Sequence, residues 1–167
     1  GGVAMSGSDI IEFREDITAE VRGLIESLIE SGYELRVHVT GRSMRPFLKG
    51  EEVVTIRPSR VEPFGFGDLI LARGAGGTLV LHRVIGQTVD GAWLTKGDGL
   101  QAPDEPVRPG DVLGVVVLVQ TAPGNIRRLD TRAGKWACKR AAWRSVTGWR
   151  LRRLGSVLKQ MVLRPSR

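Results

Sequence analysis

Residues 69–86 read LILARGAGGTLVLHRVIG. The runs LILAR and LVLHRVI are apolar, β-branched in part, and too short for ordinary helices, which predicts two strands. Between them, GAGG at 74–77 supplies residues that take left-handed backbone without a Cβ penalty, the signature of a hairpin turn. The same reading extends in both directions. ELRVHVT (34–40) alternates, with Leu35, Val37 and Val39 on one face, and EVVTIRP (52–58), AWLTKG (92–97) and DVLGVVVLVQ (111–120) follow at the spacing of a compact β-domain. TAPGN at 121–125 reads as a turn or linker.

The flanks differ from this centre. Residues 8–31, SDIIEFREDITAEVRGLIESLIES, place Ile10, Phe13, Ile17, Val21, Leu24 and Leu28 three or four apart. That spacing predicts one amphipathic helix, capped by Ser8 or Asp9 and stopped at Gly32. Residues 131 to about 163 predict one or two basic helices with a Leu151, Leu154, Leu158, Met161 stripe; Gly148 and Gly155 weigh against a single continuous one. The fold class expected is α+β, mainly β with flanking helices. Three parts follow: an N-terminal helix (1–33), a β-domain (34–120) and a basic, Trp-containing helical tail (121–167).

Charge is divided as sharply. The 167 residues carry a net +7, yet residues 125–167 hold 13 Lys/Arg against the single acid Asp130, while the preceding 124 residues are net −5. Thirteen cations with Trp136, Trp143 and Trp149 among them suit an anionic membrane surface, where Trp rings favour the headgroup region. Nucleic-acid phosphates would attract the same charges, but no nucleic-acid-binding motif accompanies them. A solvated helix packed on the body is the plainer alternative. No run approaches the roughly 18 apolar residues of a membrane span, and the acidic N-terminal stretch has no apolar signal core. The expected location is therefore cytoplasmic or peripheral to a membrane, without transmembrane helix or signal peptide. The lone Cys138 excludes an intramolecular disulfide and a multi-cysteine metal site.

Chemistry enters at VTGRSMRPFLKG (39–50), where Ser43 sits between Gly41 and Pro46. A serine hydroxyl needs a neighbouring base to act as a nucleophile at neutral pH. Only His38 and His82 are available in the chain. Alternation turns His38 away from Val37 and Val39, toward solvent or a sheet edge, and turns His82 the same way as Val80 and Val84. A histidine base is served by a carboxylate that fixes its tautomer. Asp98 and Asp104, in the loop of LTKGDGLQAPD (94–104), are the candidates. Taken singly, these fragments are ordinary turn and core residues.

In succession they carry more. GRSMRPFLKGEEVV, FGDLILAR, LVLHRVIG, LTKGDGLQAPD and VLGVVVLV, in this order over roughly residues 37–118, resemble the boxes of type I signal peptidases. The resemblance is closest to the archaeal and endoplasmic-reticulum-type branch, which has His where bacterial enzymes and SOS-repressor self-cleaving proteases have Lys. It implies a serine endopeptidase that cleaves signal or leader peptides, with a coiled antiparallel sheet forming a partly open barrel. It assigns Ser43 as acylating nucleophile, His82 as general base, and Asp104 as the acid of the triad. Asp98 matches a second, supporting acid that orients the loop or bonds to the base. The Ser43 amide would serve the oxyanion hole, Gly41 would permit close main-chain approach, and Met44 with LRVHV would line the groove. The substrate is expected to be a peptide or pre-protein added as an extended strand, with small residues before the cut. No metal or organic cofactor is required.

Departures are visible too. An acidic amphipathic stretch stands where the membrane anchor usually precedes the serine box, KGEEVV carries Gly-Glu for Gly-Asp, and the Asn that often follows KGD is missing. Two other readings compete. One is an inactive relative that binds peptide or membrane. The other, a self-cleaving nucleic-acid-binding regulator, is disfavoured by the histidine and by a basic segment that follows the body.

Overall fold

A computed structural model of the chain describes residues 10–13 and 18–162, with side chains described over 18–149. Its elements in chain order are β1 (Ile10–Phe13), α1 (Ala19–Glu30), β2 (Leu35–Val39), β3 (Val53–Pro58), β4 (Leu69–Arg73), β5 (Leu79–Gln87), β6 (Trp93–Lys96), β7 (Val112–Ala122), β8 (Asn125–Arg128) and α2 (Arg132–Val162).

The anticipated hairpin is β4–β5, antiparallel with Leu71 opposite Leu81, and Ala75–Gly77 form a 3-10 turn between the strands. All strands join one eight-stranded sheet in the order β1-β2-β3-β7-β4-β5-β6, with β8 beside β7. The order is open, so the partly open barrel gives way to an open sheet. β7 explains the shape. One edge of it pairs with β3 along most of its length, while the other is shared between β4 at Val112–Val115 and β8 at Leu118–Ala122. Bulges at Thr55/Ile56, Leu71/Ala72 and Val84/Gly86 bend the ladders.

β4 is apolar on both faces because the sheet is covered on both. Leu69 and Leu71 join the main core with Val54, Ile56, Leu79, Leu81 and the α1 residues Ile25 and Ile29. Ile70 and Ala72 pack in a second cluster with Val84, Val107, Val112 and Val115. Leu129 and Cys138 of the C-terminal segment belong to the main core as well, so the three sequence parts share it.

Several expectations change. Ile10–Phe13 form a strand parallel to β2, not the start of a helix. Helix α1 begins at Ala19, where the Thr18 hydroxyl caps it by accepting the Val21 amide at 3.4 Å. The Ser8 and Asp9 caps, and Ile17, lie outside the described residues. Gly32 does end the helix, at φ 95°, with the Tyr33 amide donating to Leu28 O. The buried face is set by Ile25 and Ile29, and Leu24 of the expected stripe is 52% exposed. Of the two readings of TAPGN the turn holds: Pro123–Gly124 turn β7 back into β8, with Gly124 at φ 79°. α2 is one helix through Gly148 and Gly155, and the side chains of the Leu151–Met161 stripe fall outside those described. Among the described residues no helix is long and apolar enough to cross a membrane.

One feature of β5 positions the site. Its first half pairs with β4, but β6 joins only from Arg83 onward. Over Leu79–His82 the edge opposite β4 carries no strand among the described residues.

Candidate active site

Strand β2 ends at Val39, and the chain turns at once into the serine segment. Met44 and Leu48 are buried and anchor that turn in the main core, with the Leu48 amide donating to Met44 O. The Arg45–Pro46 peptide bond is cis. At the far end, the Glu52 carboxylate accepts the backbone N–H groups of Lys49, Gly50 and Glu51 at 2.8–3.0 Å. Burial raises the Glu52 carboxyl, but these amides favour its ionised form more strongly and hold it below its ordinary value.

The KGDG loop clamps the turn from the other side. The Gly99 amide donates to Ser43 O at 2.8 Å. A Cβ on Gly97 would lie 2.7 Å from Ser43 O, and one on Gly99 would lie 3.1 Å from the carbonyl oxygens of Arg42 and Arg45. At Gly97 only glycine allows this approach, while at Gly99 a side chain would crowd both carbonyls. The serine box and the KGDG box are thus two halves of one packed unit.

His82 and Arg83 are consecutive on β5, so their side chains leave on opposite faces. His82, 7% exposed, bonds through Nδ1 to Asp104 Oδ2 at 2.7 Å. The same carboxylate oxygen accepts the Thr95 hydroxyl at 2.8 Å, and the Asp104 amide donates to Thr95 O at 2.9 Å. With Nδ1–H donated to the carboxylate, Nε2 is left as the basic nitrogen. Arg83 is fully buried and grips Asp98 with two bonds, Nε to Oδ1 at 2.8 Å and Nη2 to Oδ2 at 2.6 Å. It also donates to Gly67 O at 2.7 Å. Asp98 therefore bonds to arginine and not to the base; it fixes the loop that clamps Ser43.

Ser43 and His82 line one apolar cleft of about 310 Å³, together with Gly41, Val39, Met44, Leu79, Leu81 and Leu100. Ser43 is half-buried there. No hydrogen bond links the Ser43 hydroxyl to the ring among the described residues, and the Ser43 amide donates to no protein acceptor. That amide is free to meet a developing negative charge. His38 is half-buried on β2 between β1 and β3, and does not line this cleft.

The sequence pattern pointed to Ser43, His82, Asp104, Asp98, Gly41 and Met44. It missed Thr95 and Arg83. For Arg83 a signal existed: strand alternation next to His82 put an arginine on a covered face, where a buried cation demands an acid. Thr95 stands opposite Val84 in the β5–β6 ladder, and nothing in its local sequence distinguishes it. No group of three or more His, Cys, Asp or Glu among the described residues is arranged to hold a metal ion. No family model, curated protein or solved structure matches this chain.

Proposed function

We propose that this chain is a serine endopeptidase of the signal-peptidase type, with Ser43 as nucleophile, His82 as general base and Asp104 as the group that orients the base. The observation that carries the reading is the 2.7 Å bond from His82 Nδ1 to Asp104, with Ser43 on the wall of the same cleft. In acylation His82 Nε2 takes the Ser43 proton as Oγ attacks the scissile carbonyl, then delivers it to the leaving amine. In deacylation it activates water. Asp104 stabilises the imidazolium between these transfers. Catalytic hydrogen bonds often tighten only with substrate in place, so a serine and a histidine that share a cleft unbonded fit the reading.

The substrate is a leader or signal peptide with a small residue before the cut. Support comes from the edge at Leu79–His82, which no strand covers among the described residues and which could offer main-chain groups to an extended peptide, and from an apolar cleft beside it. Peripheral membrane contact is the attachment we infer for α2. Trp136 and Trp143 are 61% and 63% exposed on this basic helix.

The test is cleavage of peptides carrying small residues at the positions before the cut, followed by mass spectrometry. Ser43→Ala and His82→Ala should each lower kcat by roughly a thousandfold or more, and the double variant little further. A second reading, a binding domain that does not cut, is favoured by the missing Ser43–His82 hydrogen bond. It predicts peptide binding that Ser43→Ala leaves unchanged and no cleavage by the wild type, the result that would overturn the first.

A further inference from the structure

Behind the serine turn lies a second pocket, of about 420 Å³, between Pro46 and Phe47, Asp98, Arg127 of β8 and the α2 residues Arg144 and Ser145. Its chemistry is cationic. Arg127 stacks on the Phe47 ring at 4.2 Å and donates to Phe47 O at 3.3 Å, which holds the guanidinium at the rim. Arg144 makes no hydrogen bond or ion pair among the described residues. Ser145 accepts a bond from the buried Lys96 Nζ at 2.8 Å, so its own proton is free for another acceptor. Asp98 is the acid in the wall, and both of its oxygens are already taken by Arg83. Two guanidinium groups and a polarised hydroxyl around one hollow match a tetrahedral oxyanion, which arginine binds through paired N–H donors.

We propose that this pocket is a phosphate site, filled by free phosphate or by the phosphate of a lipid headgroup. The second source is natural for this surface, because Trp143, next to Arg144, is exposed on the same helix. A phosphate here joins α2 and β8 to Phe47 of the serine turn, so occupancy steadies the segment that presents Ser43. Phosphate binding does not require the chain to be a peptidase; only the effect on Ser43 presentation rests on that reading.

The full chain is titrated with inorganic phosphate in a calorimeter, with sodium chloride at equal ionic strength as reference, and sedimented with phosphatidylcholine vesicles with and without phosphatidylglycerol. Arg144→Gln is compared with Arg140→Gln, which removes the same charge from the same helix outside the pocket. The expected result is saturable phosphate binding that is weaker by about tenfold in Arg144→Gln and close to wild type in Arg140→Gln. A greater loss of phosphatidylglycerol binding in Arg144→Gln than in Arg140→Gln identifies the headgroup as source; equal vesicle losses alongside the site-specific phosphate loss identify the free ion. Non-saturable heats matched by chloride, or equal phosphate losses in both variants, would overturn the site. An inert Ser43 leaves this titration unaffected, and a failed titration leaves the cleavage assay unaffected, so the two proposals fail separately.

Discussion

His82 and Arg83 show how far two neighbouring residues can divide labour. One strand sends an imidazole on the cleft wall to Asp104 and, one position later, a guanidinium on the opposite face to Asp98. The two acids, six residues apart, thereby acquire different roles although both lie in one Gly/Pro-rich loop. Thr95 belongs to the first of these pairs. Thr95→Val keeps the shape and removes a donor from Asp104 Oδ2, so we expect about 1 kcal/mol lower stability. On the proposed peptidase reading, kcat should fall roughly tenfold with KM little changed, since the carboxylate is then less firmly aimed. Thr95→Ser should restore kcat, which a purely steric role would not allow. At this scale the sequence was legible where residue type and order carried the signal, as for Ser43, His82 and Asp104. It was silent where a role depends on a partner from another strand, as for Thr95, and left open whether Asp98 met the base or the loop. The buried arginine decides that.

Among the elements, β2 to β7 were readable because each alternates or runs apolar over four or more residues with turn chemistry on either side. β8 was not. Asn-Ile-Arg-Arg is exposed throughout and forms a strand only because the Pro-Gly turn returns it to β7. Ile10 and Phe13, three apart, fit a helix as well as a strand; pairing with β2 settles the matter, and so short a segment has no period of its own. The serine turn depends on Glu52, which lies outside the proposed catalytic set. Glu52→Gln should cost about 2 kcal/mol near neutral pH, because a carboxylate serving several amides is replaced by a neutral amide. The carboxyl is held below its ordinary value, so the ionised form stabilises the fold. Its contribution is complete above the unfolded value of about 4.3 and is lost as pH falls through the lower folded value. The stability gap between wild type and Glu52→Gln, measured by urea unfolding, should close on acidification through that window. A gap that stays constant would remove the carboxylate from the account.

For the molecule as a whole, a main core that takes in α1, the sheet and α2 predicts joint unfolding. Cys138 reports on this. It is fully buried on α2, and burial raises its thiol above the ordinary value and so suppresses the reactive thiolate, an effect that Arg83 only partly offsets. Labelling by a thiol reagent should therefore be slow in buffer and should rise with urea in step with the loss of β-sheet signal. Labelling at the rate of a free thiol without denaturant would mean that α2 detaches by itself. The open arrangement of strands could not be read from the sequence, because closure depends on how the two ends of the strand order meet and no strand encodes that alone. Here β1 and β6 end the order, and β7 spends part of an edge on β8.

The unfinished margin of β5 reaches beyond any single client. Main-chain donors and acceptors without a strand partner recognise backbone before they recognise side chains, and another copy of the chain offers the same groups. Crowded preparations are thus at risk of edge-to-edge stacking. Tight ligands of the cleft would be compounds that bring an extended amide backbone of their own, more than those that merely plug the hollow.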